Sequence, residues 1–198
     1  MRKTLPASII VLLLLAASSH ADQPYGWTIS ASSTDAFQNT AVPTMGMRTY
    51  YLHLVCSSVP PFPDGTDRYD GMSGAEFGLS YDGITAVSLY ARLPFIIVGG
   101  DFYNLQLAVG GCASNGVVAD ITVWDLPGTI CFTTDSQGVM GVVDCEMADP
   151  TMWPFDFIGL STTGSAPCSE GVLCSPLPVS AGGPPEVQSW SRVKAMYR

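Results

Sequence analysis

The stretch from Gly71 to Ala91 constrains the fold more than any other part of the chain. In its first half, the apolar and aromatic residues Ala75, Phe77, Leu79 and Tyr81 alternate with Glu76, Gly78 and Ser80. Because a strand turns successive side chains to opposite faces, this alternation predicts a strand with one buried face. Asp82-Gly83 follows, and Gly accepts the positive φ that a tight turn or corner needs. We therefore expect two strands joined at Tyr81-Asp82-Gly83.

The rest of the chain repeats short apolar stretches separated by Gly, Pro, Asn and Asp. Further strands are predicted at residues 26–32, 48–57, 93–100, 104–110, 116–126, 129–134, 139–146 and 155–161. The polar loop Asp135–Gly138 is expected to join two of them, 129–134 and 139–146, in a hairpin. About nine short strands and few helix-forming residues predict an all-β, antiparallel β-sandwich.

Both ends of the chain differ from this central part. Arg2 and Lys3 precede an apolar run that is too short to span a bilayer, and Ser19-His20-Ala21 supplies the small residues that a signal peptidase reads. We expect residues 1–21 to be a signal peptide, followed by a β-sandwich domain over 22–174. The chain is then secreted, periplasmic or on the cell surface, with no membrane span after cleavage.

The C-terminal residues are predicted to form a linker and a short helix. Residues 175–188 are rich in Pro and Gly and have too few apolar side chains to pack. In residues 189–198, Trp190, Val193 and Tyr197 share one stripe of a short amphipathic helix, which Ser189 is able to cap. With its three basic residues this helix is a candidate docking handle.

The acidic charge of the chain excludes one class of partner. Removal of Arg2 and Lys3 changes the net charge from −9 to −11, because all 17 acidic residues follow residue 21. Nucleic-acid binding requires clustered Lys and Arg to neutralise phosphates. We therefore expect no nucleic-acid partner.

The six cysteines favour disulfides, since their number is even and the chain is expected to be exported. Fifteen connectivities are possible in principle. Two pairs are local, one across the predicted hairpin and one in a small loop, and the third joins two strand ends. The expected pairs are Cys131–Cys145, Cys168–Cys174 and Cys56–Cys112.

Candidate chemistry is sparse. His53 is the one histidine after residue 21, and its place in an alternating strand favours a structural role over a catalytic one. A hydrolase is an alternative, using either His53 or one of two clusters of acidic residues, although the sequence contains no G-x-S-x-G motif of the kind that carries a catalytic serine. Tyr51 shares the expected outer face with His53 and is a candidate for stacking on a sugar ring. A second acidic cluster consists of Asp144, Glu146 and Asp149.

A loop with three regularly spaced acidic residues is a candidate calcium site. Asp64, Asp67 and Asp70 form a D-x-x-D-x-x-D pattern in a Gly/Pro-rich segment. Calcium takes several oxygen ligands from flexible loops, but in an EF-hand they fall at alternating positions. The spacing favours solvated loop acids over a calcium site, so no cofactor is expected, with Ca²⁺ as the one alternative.

Four segments taken in order resemble cohesin modules. They are Tyr51–Cys56, Met72–Asp82, Ile84–Leu89 and Gly116–Val123, and the second contains the phrase G-x-x-F-x-L-x-Y-D from Gly74 to Asp82. This resemblance, over about residues 45 to 135, implies a jelly-roll sandwich that serves extracellular binding or scaffolding. With its terminal Ser-Trp-x-x-Val-Lys-x-x-Tyr-Arg, the chain is also similar to secreted bacterial proteins, which implies no activity.

These observations lead to one expected function and two alternatives. We expect an exported, non-enzymatic binding or structural module that makes protein–protein contacts at or outside the cell envelope. The first alternative is a carbohydrate-binding module, with calcium support, that recognises a cell-surface glycan. The second is the hydrolase described above.

Overall fold

A computed structural model describes residues 25–57, 71–113, 115–145, 151–171 and 188–189. These residues form strands and turns in two sheets, which confirms the all-β class. The first, six-stranded sheet has the order β13-β11-β1-β2-β7-β4. Its strands are β1 (Tyr25–Ser30), β2 (Gly46–Ser57), β4 (Thr85–Ala91), β7 (Gly116–Asp125), β11 (Asp156–Ile158) and β13 (Ser169–Glu170).

The second, eight-stranded sheet is built around one long strand. Its members are β3 (Met72–Asp82), β5 (Phe95–Gly100), β6 (Asn104–Ala113), β8 (Thr129–Thr133), β9 (Gly141–Asp144), β10 (Thr151–Trp153), β12 (Leu160–Ser161) and β14 (Gln188–Ser189). β3 pairs with β6 along one edge and with β8 and β9 along the other, while β5 extends the sheet beyond β6. All named pairs are antiparallel except β1 with β11.

The two sheets enclose one apolar core. Trp27 of the first sheet packs on Phe77 of the second, with their ring centroids 5.2 Å apart. Phe77 lies 5.3 Å from Phe132 and 5.6 Å from Phe155, and all four rings are buried. Such a cluster contributes large apolar burial together with favourable tilted and edge-to-face ring geometry. Two packed sheets with a shared core are a β-sandwich.

The expected strands on both sides of Asp82-Gly83 are present, but they do not pair with each other. β3 lies in the eight-stranded sheet and β4 in the six-stranded sheet, so Gly83 is a corner between the layers. Its φ is +72°, and an added Cβ would contact the carbonyl oxygen of Pro127. This corner therefore needs Gly for its backbone conformation and for its close approach to another turn.

The expected hairpin of residues 129–134 and 139–146 is wrong. β8 and β9 are both antiparallel to β3 and lie on the same edge of it, so they run in the same direction, end to end. The loop between them is closed by Asp135, whose Oδ1 accepts the amides of Gln137 and Val139 at 2.8 and 2.7 Å. This local turn ends one strand and starts the next without reversing the chain.

The cysteine pairing is also different from the expected one. The structure joins Cys112 to Cys145 and Cys131 to Cys168, with Cα atoms 5.4 and 5.9 Å apart. The expected pairs Cys56–Cys112, Cys131–Cys145 and Cys168–Cys174 are therefore wrong. These two observed bonds confirm a disulfide-stapled fold.

The strand register explains why Cys131 and Cys145 do not form a disulfide bond with each other. Cys131 lies opposite Ser80, whereas Asp144, next to Cys145, lies opposite Met72. Eight positions of a strand span about 26 Å, far beyond the reach of a disulfide. Cys112 instead precedes Ala113, which also lies opposite Met72, so the ends of β6 and β9 meet at the start of β3.

The expected strand 155–161 is divided at Gly159. Its first part, β11, joins the six-stranded sheet, and its second part, β12, joins the eight-stranded one. An added Cβ at Gly159 would contact the Sγ of Cys168 and the carbonyl oxygen of Ile130. Gly159 thus lets the chain change layers directly beside the Cys131–Cys168 bond.

Several expectations fall on parts of the chain that the structure does not describe. Gln188–Ser189 pairs with β10 as the short strand β14, whereas 190–198, most of the expected helix, lies outside the described residues. The expected signal peptide and most of the linker lie outside them too. The bounds given above for the domain remain predictions.

Candidate binding surface

Five large apolar side chains remain exposed where the chain passes from β4 to β5. They belong to Tyr90, Leu93, Ile96, Ile97 and Val98, which we call the β4–β5 edge surface, and between 38% and 89% of each is exposed. All five fall within nine consecutive residues. Scattered exposed apolar residues are ordinary, but five within nine consecutive positions make this segment a candidate interaction site.

The edge surface lies on a strand with one free edge. Among the described residues β5 pairs only with β6. β5 contains no charged residue and no Pro, two of the features with which edge strands prevent pairing with another chain, although a bulge interrupts its ladder with β6 between Ile97 and Gly99. Its outer edge therefore offers backbone donors and acceptors, with apolar side chains beside them.

A tight turn fixes β5 against β6. The Oδ1 of Asp101 accepts the backbone amides of Tyr103 and Asn104 at 2.8 and 2.9 Å, and the amide of Asp101 donates to the Asn104 carbonyl. Gly100 has a φ of +89°, and an added Cβ would contact the Asn104 carbonyl oxygen. Asp101 and Gly100 thus hold the free edge in a defined orientation.

Arg92 lies at the other end of β5 and is held by the six-stranded sheet. Its Nε and Nη2 donate to Asp120 Oδ1 and Oδ2 at 2.7 and 3.2 Å. Its guanidinium also lies 5.3 Å from the centre of the Tyr51 ring. This cation–π contact and the two-point ion pair hold the Arg92 guanidinium on the outer face of the six-stranded sheet.

The structure places the predicted site residue Tyr51 on the outer face of the six-stranded sheet. Tyr51 lies opposite Asp120 in the β2–β7 register, and Tyr90 lies opposite Asp120 on the other side. The Arg92 guanidinium lies over the Tyr51 ring, whereas two thirds of Tyr90 is exposed. Tyr90, which the sequence interpretation did not select, is therefore the more accessible ring.

The structure places the predicted site residue His53 in a structural position. Only 4% of it is exposed, and its Nε2 lies 2.8 Å from the carbonyl oxygen of Ser32, to which it donates. Burial lowers the pKa of the imidazole, against the opposing effect of this hydrogen bond. Within the described part of the chain, no Ser hydroxyl or carboxylate bonds to this ring, so no catalytic triad forms there.

Two more exposed side chains, Trp124 and Met47, lie on the outer face of the six-stranded sheet at the end away from Tyr51 and Tyr90. Trp124 lies opposite Met47, and about half of each side chain is exposed. Thr49 and Thr122 separate this pair from Tyr51 and Asp120 on the outer face. The outer face therefore has an aromatic group at each end with hydroxyl groups between them.

The remaining predicted site residues are not located. Asp64, Asp67 and Asp70 lie outside the described residues, as do Trp190, Val193 and Tyr197, and Glu146 and Asp149. Among the residues that are described, no three His, Cys, Asp or Glu side chains form a group that could hold a metal ion. No helix in that same part is long and apolar enough to cross a membrane.

Comparisons with known proteins give one structural neighbour. No protein-family model matches the chain, and no curated protein matches it. Among solved structures, the chain is similar to the seventh ScaB type I cohesin from Pseudobacteroides cellulosolvens, with 14% sequence identity over 69% of this chain and 89% of that chain and a TM-score of 0.45. A cohesin, the family that the sequence resembles, is thus also a structural neighbour.

Proposed function

We propose that the chain is an exported, non-enzymatic binding module that makes protein–protein contacts through the β4–β5 edge surface. One observation carries the proposal: five large apolar side chains are exposed on and beside an edge strand that has no charged residue. The free edge of β5 can accept an extended segment of a partner as an added strand. Backbone hydrogen bonds then supply affinity, and contacts with the apolar side chains supply specificity.

Two further features support export and a role without catalysis. Two disulfides staple the described part of the chain, and such bonds persist in oxidising compartments outside the cytosol. His53, which the alternative hydrolase would use unless it relied on the acidic clusters, is buried and donates to a backbone carbonyl. A buried imidazole held in this way has no access to a substrate.

A capture experiment tests the proposed function. The disulfide-bonded chain is immobilised and exposed to the proteins of its native extracellular fraction, beside two variants, Val98→Lys and Val42→Lys. Both positions are exposed Val residues, but Val42 lies outside the edge surface. We expect wild type and Val42→Lys to capture the same protein and Val98→Lys to lose it. Capture that is equal in all three variants, or absent in all three, contradicts the proposal.

The outer face of the six-stranded sheet favours a second candidate function, the binding of a glycan. Trp124 and Tyr90 expose their rings at opposite ends of this face, and Asp120 lies opposite Tyr90. Aromatic rings stack on sugar rings, and carboxylates accept hydrogen bonds from their hydroxyl groups. A glycan array probed with and without Ca²⁺ tests this function. Silence in both conditions, or binding that Trp124→Ala leaves unchanged, removes it.

A further inference from the structure

The aromatic groups on the outer face of the six-stranded sheet are too far apart for one sugar ring to contact both. Trp124 and Asp120 both point outward from β7, whose inward residues between them are buried, and Tyr90 lies opposite Asp120 on β4. The four positions from Asp120 to Trp124 cover about 13 Å of strand. A monosaccharide is shorter than this interval. A glycan that contacts both Trp124 and Tyr90 is therefore an oligosaccharide.

A row of hydroxyl groups lies between the two aromatic groups. Thr122 points outward between Asp120 and Trp124, and it lies opposite Thr49 of β2 on one side and Ser88 of β4 on the other. All three hydroxyl residues are partly exposed, and the Oγ1 atoms of Thr49 and Thr122 are 3.4 Å apart. A hydroxyl group both donates and accepts, so this row can bond to the hydroxyl groups of a sugar. Because rings and hydroxyl groups follow one line along β7, they match an extended chain of sugars better than a coiled one.

A segment of the chain covers the same face beside β1. Thr28 and His53 point outward and lie opposite each other, yet both are buried. Thr28 donates to the carbonyl of Ala36 at 2.6 Å, and His53 donates to that of Ser32. Residues 32–36 therefore lie over the face at this side. A glycan running across the strands would meet this segment, whereas one running along β7 would not.

The charges on this face cancel each other. Arg92 and Asp120 form a two-point ion pair, and 42% and 30% of their side chains are exposed. No other residue that points outward within 47–51, 85–90 and 120–124 is charged. The pair offers a donor and an acceptor to adjacent sugar hydroxyl groups. It offers no unpaired cation to an anionic sugar, which the net charge of −9 would also repel.

We infer that this face binds an uncharged, extended oligosaccharide with equatorial linkages, which lies along β7 and contacts both Trp124 and Tyr90. The inference rests on the second candidate function proposed above, because it names the class of glycan that this face takes. Equatorial linkages are required because they keep a chain of sugars extended. Stacking at both ends fixes the ligand along the strand, and the hydroxyl row and the Arg92–Asp120 pair contact the units between them.

Titration calorimetry of the purified, disulfide-bonded chain tests the length and the charge of the ligand. The probes are cellohexaose and mannohexaose, the corresponding disaccharides, and the same hexasaccharides with their primary hydroxyl groups oxidised to carboxylates. We expect at least one neutral hexasaccharide to bind at least about tenfold more tightly than its disaccharide, because the longer chain contacts both rings. Its oxidised form, and the coiled maltohexaose, are expected to bind at least about tenfold more weakly than it does.

Two tyrosine variants test whether both rings take part. Tyr90→Ala is expected to weaken hexasaccharide binding about two- to tenfold and to remove most of its advantage over the disaccharide. Tyr103→Ala is the matched control, since Tyr103 is also exposed but lies in the turn between β5 and β6. It is expected to bind both ligands as wild type does. In wild type, bound hexasaccharide should also protect tryptophan fluorescence from acrylamide, and Trp124→Ala should lose this protection.

Three results overturn the inference. They are the failure of both neutral hexasaccharides to bind, equal affinity for the hexasaccharide and its disaccharide, and equal or tighter binding of the oxidised or the coiled chain. An advantage of the hexasaccharide that Tyr90→Ala leaves unchanged removes the second ring from the site and contradicts the inference as well. If a glycan array still gives a signal that depends on Trp124 in any of these cases, glycan binding stands with another class of ligand.

Discussion

The phenol of Tyr50 donates a hydrogen bond of 2.7 Å to the Oδ1 of Asp125, and both residues are completely buried. Asp125 Oδ2 accepts two more bonds from Thr44, from its backbone amide at 2.6 Å and from its hydroxyl at 3.0 Å, and lies 3.8 Å from an Arg48 nitrogen. Burial, followed by this hydrogen bond, raises the pKa of Tyr50, so the phenol remains a donor. One buried carboxylate thus ties β2, β7 and the segment before β2 together.

Asp125→Ala is expected to lower the free energy of unfolding by about 2–4 kcal/mol, since it leaves the buried Tyr50 hydroxyl without its acceptor. Tyr50→Phe removes one donor but leaves the Thr44 bonds in place, and is expected to cost about 1–2 kcal/mol. Urea unfolding followed by tryptophan fluorescence measures both. A larger loss for Tyr50→Phe than for Asp125→Ala contradicts this account of the carboxylate.

Peptide mapping without reduction tests the disulfide connectivity directly. Peptides that join Cys131 to Cys168 and Cys112 to Cys145 are expected. The bonds close loops with sequence separations of 37 and 33, so replacing both cysteines of either pair with Ala is expected to cost about 3–4 kcal/mol. A peptide that joins Cys131 to Cys145 would restore the hairpin that the strand register excludes.

Gly83→Ala tests the corner between the layers. We expect a loss of about 2–3 kcal/mol, from the φ of +72° together with the contact that an added Cβ makes with Pro127. Gly138 is the matched control, because its φ is +78° but no atom lies within 4 Å of an added Cβ. Gly138→Ala should therefore cost only about 1 kcal/mol. Equal losses in thermal unfolding would assign the whole effect to backbone conformation.

His53 makes the stability of the fold depend on pH. The folded pKa is lower than the unfolded value of 6.5, so the unfolded chain binds more protons as the pH falls through that value. The neutral ring's contribution is thus complete above pH 6.5 and declines as the pH falls towards the folded pKa. His53→Gln keeps an N–H for Ser32 but does not titrate. The melting temperatures of wild type and His53→Gln should diverge below pH 6.5, and parallel curves there would refute the role of His53.

The strands could be predicted from alternation, whereas their partners could not. The pattern at Ala75, Phe77 and Leu79 depends only on one buried face, and all three are buried. Pairing depends on where distant strands lie, so Asp135–Gly138 resembled a hairpin loop although it joins two strands that run in the same direction. The cysteine pairs were wrong for the same reason.

The β4–β5 edge surface could not be predicted from the sequence, for a different reason. The apolar run Phe95–Val98 has the composition of a strand buried on both faces. Whether such a run lies inside a sheet or at its edge is decided by the number of neighbouring strands, which composition does not reveal.

The pairing of β1 with β11 has a consequence for how the chain reaches its folded state. Gly26 pairs with Asp156, which lies 130 positions later in the sequence. β3 pairs with β8 and β9, which are also made well after it. Non-local pairing of this kind slows folding, because long loops must close before their contacts form. One edge of β1 therefore stays unpaired until residue 156 has been made, although its other edge pairs with the nearby β2.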